Sequence, residues 1–313
     1  MNLYFALARQ AMSAGFRILG ARSGDRIAIP AFICADVPAT LTLDGYEVVY
    51  YDVNESLQPD VTRNAPRADF LLLVNFFGFP VDIRSVESNW GFSPNRIVED
   101  NAHGLFSCDQ DGRALGQRTV IGFTSFRKTL RVADGGILHI NNQGFVERAA
   151  TERLEPLTRS LSFAQRARQT GDWVSGWSHL PLMNLLRFTK RLVIPKNTQF
   201  FDESTRHASP ASTASIEALN SCYPDTERQR RRVLYQSLLP QIVAAGGKPL
   251  IVDLANGISP YALPFFSSPH VARRVQRRVW LRNFEVFPWP NLPVRECVLP
   301  DWYRNVYLVN FLR

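Results

Sequence analysis

The chain has 313 residues, of which 45% are hydrophobic and 20% charged, and a net charge of +8. That length and composition predict a folded protein with one large and one smaller domain, and exclude a disordered chain. No run of about 18 apolar residues occurs, so no membrane-spanning helix is expected. The N-terminal segment lacks the basic, apolar and small-residue succession of a signal peptide, so a cytoplasmic protein is expected. The four cysteines (Cys34, Cys108, Cys222, Cys297) form no CxxC pair, and the five histidines show no metal-ligand spacing. Reduced thiols and no metal site follow. The basic residues are dispersed apart from Arg228-Gln229-Arg230-Arg231-Arg232 and the group Arg273, Arg274, Arg277 and Arg278. Both lie in helical-looking stretches, where a solvated face is the ordinary reading, and no nucleic-acid motif accompanies them.

In chain order, Leu7, Ala11, Ala14 and Ile18 recur at helical steps and predict a helix over Leu3 to Leu19, stopped by Gly20. A strand is expected at Ile27 to Phe32, a helix at Val37 to Leu43 and a strand at Glu47 to Tyr51. Asp69 to Asn75 holds a continuous apolar run, typical of a strand covered on both faces. Arg96 to Asp100, Thr119 to Phe123 and Gly136 to Ile140 read as further strands. Residues 147 to 195 read as helical, as does Ser209 to Val243 with a break at Tyr223-Pro224-Asp225. Strands at Pro249 to Leu254 and Tyr261 to Phe266, a basic helix over Val271 to Asn283 and an extended stretch from Val286 to Pro290 complete the chain. Strands alternating with helices predict an α/β domain with a mainly parallel sheet (residues 1–215), and the remainder predicts a smaller α+β domain (216–313).

In such sheets the ligand sits at the carboxyl ends of the strands. Asp100, His103, Ser125 and Lys128 fall there. Lys128 follows a strand end and two hydroxyls, Thr124 and Ser125, and precedes Asp134-Gly135-Gly136. A lysine amine can condense with an aldehyde when its surroundings lower its pKa. The hydroxyls can donate to a phosphate, and the glycine pair lets the backbone pass close to a ligand. Asp100 could hold a pyridine nitrogen in its protonated form. His103 could meet the ring or its 3-oxygen. Taken singly, these could be a surface lysine, a turn aspartate and a structural histidine.

Together they resemble the DegT/StrS group of sugar aminotransferases. The resemblance rests on Glu99-Asp100-Asn101-Ala102-His103, the glycine-bearing Asp111-Gly112-Arg113-Ala114-Leu115-Gly116, Phe123-Thr124-Ser125-Phe126, Lys128 and Gly135-Gly136, in that order. Gly24 to Phe32, Tyr50-Tyr51-Asp52-Val53 and Phe76 to Asp82 are similar to earlier family segments. The resemblance implies the three-layer type I fold of pyridoxal-phosphate-dependent transferases. It implies pyridoxal 5′-phosphate (PLP) as cofactor, with Lys128 as the lysine that carries it and moves the proton. It further implies Asp100 at the pyridine nitrogen, His103 near the 3-oxygen and Ser125 at the phosphate. The backbone N–H groups of Arg9 and Gln10 should face the phosphate from a helix N-terminus. The ring-stacking aromatic of the family falls on Cys34, and its small polar phosphate turn on Ala6-Leu7-Ala8.

The implied activity is amino transfer, with glutamate as donor, to a nucleotide-linked keto-sugar for surface polysaccharide or lipopolysaccharide. A homodimer is implied, with Lys196 to Arg206 reaching the partner's site. Neither nucleic acid nor membrane is an expected partner. A dehydratase branch of the fold carries histidine in place of the lysine, and Lys128 argues against it. A non-catalytic or regulatory member of the same fold is the alternative.

Overall fold

The computed structural model describes residues 1–152, 208–280, 282, 284–289, 292 and 299–311. The expected cross-subunit segment from Lys196 to Arg206 and nearly all of the expected helical stretch 147–195 lie outside the described residues.

The chain opens with a strand, not a helix. Asn2–Phe5 form β1, and helix α1 spans Ala8–Leu19. The helical spacing from Leu7 onward is real, but Leu3 to Phe5 pair antiparallel with β7 (Gly136–Ile140). An open strand edge gives these backbone groups partners that the first turn of a helix would not. The N–H of Ala6 is likewise taken, by the Ser209 carbonyl at 2.8 Å. Next come β2 (Arg26–Pro30), α2 (Asp36–Leu43), β3 (Glu47–Tyr51), β4 (Phe70–Val74), α3 (Ile83–Trp90), β5 (Ile97–Asn101) and β6 (Ile121–Thr124).

These strands form a seven-stranded sheet in the order β1-β7-β6-β5-β4-β2-β3. Strands β2 to β6 run parallel, and β7 and β1 close one side antiparallel. Every residue of β4 and β5 is buried, as their apolar runs require of central strands. Helix α1 packs on β6 and β7, and α2 on β3. This is the mainly parallel α/β architecture expected from the sequence.

The C-terminal region holds α4 (Thr213–Asn220), α5 (Pro224–Ala244), β8 (Lys248–Pro249), β9 (Ala262–Phe266), α6 (Pro269–Trp280), β10 (Val286–Pro288) and β11 (Val306–Asn310). Its four strands form an antiparallel sheet ordered β10-β11-β9-β8, with α5 against β8 and β9. Pro224 starts α5 because a first-turn residue needs no N–H partner. The strand expected over Pro249 to Leu254 stops at Pro249; the carbonyls of Leu254 and Ala255 accept from Arg232 instead of from a strand.

The reading of residues 228–232 as a solvated face holds for Gln229 and Arg230, which are exposed, and fails for Arg228, Arg231 and Arg232. Arg231 is 1% exposed, and Arg228 and Arg232 are half-buried and donate to carbonyls of Phe106, Leu254, Ala255 and Ile258. Irregular loops pack on this helix and present carbonyls without sheet partners, and a guanidinium satisfies them. By contrast, Arg273, Arg274, Arg277 and Arg278 are exposed on α6. No helix among the described residues is long and apolar enough to cross a membrane.

One apolar core runs under both sheets. Tyr303, 1% exposed, crosses between them: its hydroxyl accepts from the Val53 N–H at 2.7 Å and faces the Val53 carbonyl at 3.2 Å. Its ring packs on Phe32 at 5.0 Å. Tyr303→Phe keeps the ring but strands a buried N–H, so stability should fall by roughly 1–3 kcal/mol with the fold intact. Urea unfolding checks this, with the slope of the transition unchanged.

Candidate active site

Four strand ends meet at the site. Cys34 follows β2, Phe76 and Phe77 follow β4, Asp100 to His103 end β5, and Ser125 to Lys128 follow β6. The short helical turn Phe126–Lys128 brings the Lys128 Nζ to 3.2 Å from the His103 Nε2. Burial, then the Lys128 charge, holds the His103 pKa well below its ordinary value. His103 is therefore neutral at neutral pH, and against a lysine ammonium, which can only donate, its Nε2 is the acceptor.

His103 is clamped between two rings. Phe77 is stacked at 5.8 Å with a 13° interplanar angle, and Tyr261 at 4.6 Å with 16°. Trp289 meets the imidazole edge-on at 5.7 Å and also packs on Phe32 and Phe77. Phe77 has φ 56°, a left-handed conformation that is uncommon outside glycine and is held here by packing.

Asp100 is 5% exposed, and its Oδ1 accepts from the Ala102 N–H at 2.8 Å. Burial pushes its pKa up to about 6, against the pull of Lys128. The neighbouring Glu99 points to the other side of the strand and pairs with Arg118 at 2.6 Å. Burial also raises the Cys34 thiol, opposed by Lys128, so Cys34 faces the same charges as a protonated, unreactive thiol.

At the opposite end of the site, the Gln10 side chain accepts from the Leu7 N–H at 3.1 Å, and the Gln10 N–H donates to the Leu7 carbonyl at 3.0 Å. Gln10 thus closes the first turn of α1, and its N–H, expected to face a phosphate, is instead committed to the Leu7 carbonyl. Arg9 lies 3.7 Å from the Asp36 carboxylate, and its Nε is buried with no hydrogen-bond partner among the described residues. Ser125 is buried, with a long 3.4 Å bond from its Oγ to the Gly135 carbonyl. Thr124 is committed elsewhere, to His139 at 3.0 Å and Asn101 at 3.2 Å.

The glycine pair has a local cause. A Cβ on Gly136 would lie 2.5 Å from the Ala8 nitrogen, and one on Gly135 (φ 142°) 2.2 Å from the Phe126 ring. The pair lets the start of β7 pass against the Leu7–Ala8 turn, which brings the α1 N-terminus to the sheet end that carries Lys128. A cavity of about 650 Å³ opens elsewhere, between residues 80–87, 108–118 and 255–258; no predicted site residue lines it.

These features fit PLP. The unpartnered Arg9 Nε at a helix N-terminus suits a phosphate. A buried carboxylate whose pKa is raised by burial suits a ring N–H. An amine beside a neutral imidazole suits an aldehyde. Sequence reading missed Phe77, Tyr261 and Trp289. Only the aromatic content around residues 76–79 hinted at the first, and nothing local marked the other two.

Comparison with known proteins agrees. Residues 5–172 match the DegT/DnrJ/EryC1/StrS aminotransferase family, more than half of the chain. A comparison with curated proteins finds no match. Among solved structures, the chain is similar to the aminotransferase TlmJ from Streptoalloteichus hindustanus, at 19% identity and TM-score 0.67, covering 99% of this chain and 79% of that one. It is also similar to Helicobacter pylori PseC, an aminotransferase of pseudoaminic acid biosynthesis, at 14% identity and TM-score 0.62, covering 99% and 81%. A third is the PLP-bound GDP-4-keto-6-deoxy-D-mannose-3-dehydratase of E. coli, at 15% identity and TM-score 0.62, covering 99% and 82%. The fold is that of the type I PLP-dependent transferases. The chain belongs to the DegT/DnrJ/EryC1/StrS aminotransferase family, and the expected enzyme class, a PLP-dependent aminotransferase, stands with that membership.

The raised Asp100 pKa has a consequence for the cofactor-free protein. Between about pH 4 and 6 the folded state holds a proton that the unfolded chain has lost, so stability falls as pH rises through that window. The shift corresponds to roughly 3 kcal/mol above pH 6. Asp100→Asn should therefore be more stable than the parent at pH 7 and equal to it near pH 3.5. Denaturant unfolding of the two proteins across this range checks it, since other titrations cancel in the difference.

Proposed function

We propose that this chain transfers an amino group from an amino acid, with glutamate as the donor, to the ketone of a nucleotide-linked sugar for surface polysaccharide or lipopolysaccharide synthesis. The observation that carries the reading is the 3.2 Å contact between Lys128 and a neutral His103 at the carboxyl end of the parallel strands. Bound PLP supplies an aldehyde for the amino group and a ring that accepts electrons from the breaking bond.

The rest is done by the chain's own side chains. Lys128 would hold the cofactor through its amine and would move the proton to and from the substrate carbon that bears nitrogen. His103 accepts from the lysine Nζ and keeps that amine aimed. Asp100 ionises fully once a cationic N–H sits against it and then holds that proton in place. Arg9 and Ser125 would bind the phosphate, with Gln10 shaping the helix end and Cys34 at the position where the resemblance implies a stacking aromatic.

The keto-sugar reading draws support from relatives whose names mention sugar chemistry, pseudoaminic acid biosynthesis and a GDP-linked keto-deoxymannose. Lys128 favours amino transfer over dehydration. Residues 1–215 would form the cofactor-binding unit and 216–313 the smaller one, in a cytoplasmic homodimer. Lys196 to Arg206 would complete the partner's site.

A non-catalytic role is the second reading. Ala6-Leu7-Ala8 offers no hydroxyl donor to a phosphate, and Cys34 offers no stacking ring. The test is direct. Protein mixed with PLP should develop the visible band of lysine-bound cofactor, and Lys128→Ala should lack it. Glutamate should bleach the band, and a panel of nucleotide keto-sugars, read by mass, should gain an amino group. No band in the parent protein sinks the proposal. A band that glutamate does not bleach favours the non-catalytic member.

A further inference from the structure

We propose that Arg231 is a positioning residue that fixes the Lys128–His103 pair from behind, by holding the lysine turn and the Tyr261 clamp on one guanidinium. The inference rests on the reading of Lys128 and His103 as the reacting pair.

Arg231 lies on α5 and is 1% exposed. A buried guanidinium is tolerated only when its charge and its donors are matched. The charge is matched by Glu227 one turn earlier, at 2.6 Å from the Arg231 Nε. Burial alone would raise the Glu227 pKa, but Arg230 and Arg231 outweigh it and bring it below the ordinary value, so the carboxylate stays charged. The remaining donors go to three carbonyls. Nη2 donates to Thr129 at 2.9 Å, and Nη1 to both Pro260 and Tyr261 at 3.2 Å.

Those carbonyls are not arbitrary. Thr129 is the residue after Lys128, and its N–H closes the Phe126–Lys128 turn through the Phe126 carbonyl at 3.0 Å. Pro260 and Tyr261 precede β9, outside the sheet. The Tyr261 ring lies 4.6 Å from His103, and the Tyr261 N–H donates to the carbonyl of Phe77, whose ring covers the other side of the imidazole. One planar fork therefore spans the backbone of the lysine turn and the backbone of the histidine clamp. The two elements lie far apart in the sequence and are joined by no strand pairing among the described residues. The 3.2 Å contact depends on both being held at once. A lysine at 231 keeps the charge but cannot reach all three carbonyls with a rigid fork.

The titratable groups packed on His103 among the described residues are Lys128 and Tyr261. The test follows the His103 imidazole by NMR in the cofactor-free protein and, separately, the pH titration of the visible band in the PLP-loaded protein. Arg231→Lys, Arg231→Gln and Tyr261→Leu are compared with the parent. Loosening the clamp admits water and lengthens the lysine contact, so His103 should titrate higher by about one unit in each variant. The band titration should shift in the same variants. The double variant Arg231→Lys with Tyr261→Leu should shift no further than either single change, because both act through one clamp. Should Arg231→Gln fail to fold, the lysine and Tyr261 variants decide. Folded variants with unchanged His103 and band titrations overturn the proposal, whatever their melting temperature. A parent protein that binds no PLP sinks the proposed function instead, while the NMR arm still reports on Arg231.

Discussion

The site depends on a buried ion pair that takes no part in it. Glu99 is wholly buried in β5, and the Arg118 guanidinium lies 2.6 Å from it. Arg118 also donates to the Val81 carbonyl at 3.0 Å and to Asn75 at 2.8 Å, and Asn75 donates back to Glu99 at 2.8 Å. This network joins the end of β4, the middle of β5 and the approach to β6. Side chains on a strand alternate, so fixing Glu99 on one face fixes Asp100 on the other. A slip of one residue would put the wrong carboxylate in the site and leave an uncompensated charge in the core, an outcome that costs several kcal/mol.

With that register set, the site's electrostatics follow from burial. Lys128 is the nearby positive charge that acts on Asp100, His103 and Cys34 alike. It eases ionisation of the carboxyl and the thiol and opposes protonation of the imidazole. A lysine ammonium can only donate, so its contact with the neutral His103 makes Nε2 the acceptor and gives the amine one defined direction. A carboxyl with a pKa of about 6 is poised to become fully charged when a cation arrives.

The departures from the family pattern are compensated in kind. Where the family places a small polar turn, Gln10 caps α1 through Leu7, and Arg9 offers a buried, unpartnered Nε. At the position where the resemblance implies a stacking aromatic this chain carries Cys34, while Phe77, Tyr261 and Trp289 gather on His103. Holding Phe77 at positive φ is part of the cost of that packing.

Much of this was legible in the sequence. The apolar runs at residues 70–74 and 97–98 marked central strands, and local motifs singled out Lys128, Asp100 and His103, because strand burial and strand-end chemistry are written in neighbouring residues. The N-terminal strand was not legible, since its partner β7 lies more than 130 residues away and helical spacing nearby outvoted it. Nor was the work of residues 228–232. A run of arginines on a helix has the same composition whether it faces water or three carbonyls, and only the packing of loops 129 and 260–261 on α5 decided that Arg231 is buried. The sequence by itself singled out the residues proposed to carry the chemistry. The tertiary structure decided what holds them in place, because those supports are backbone carbonyls and distant rings that local pattern does not encode.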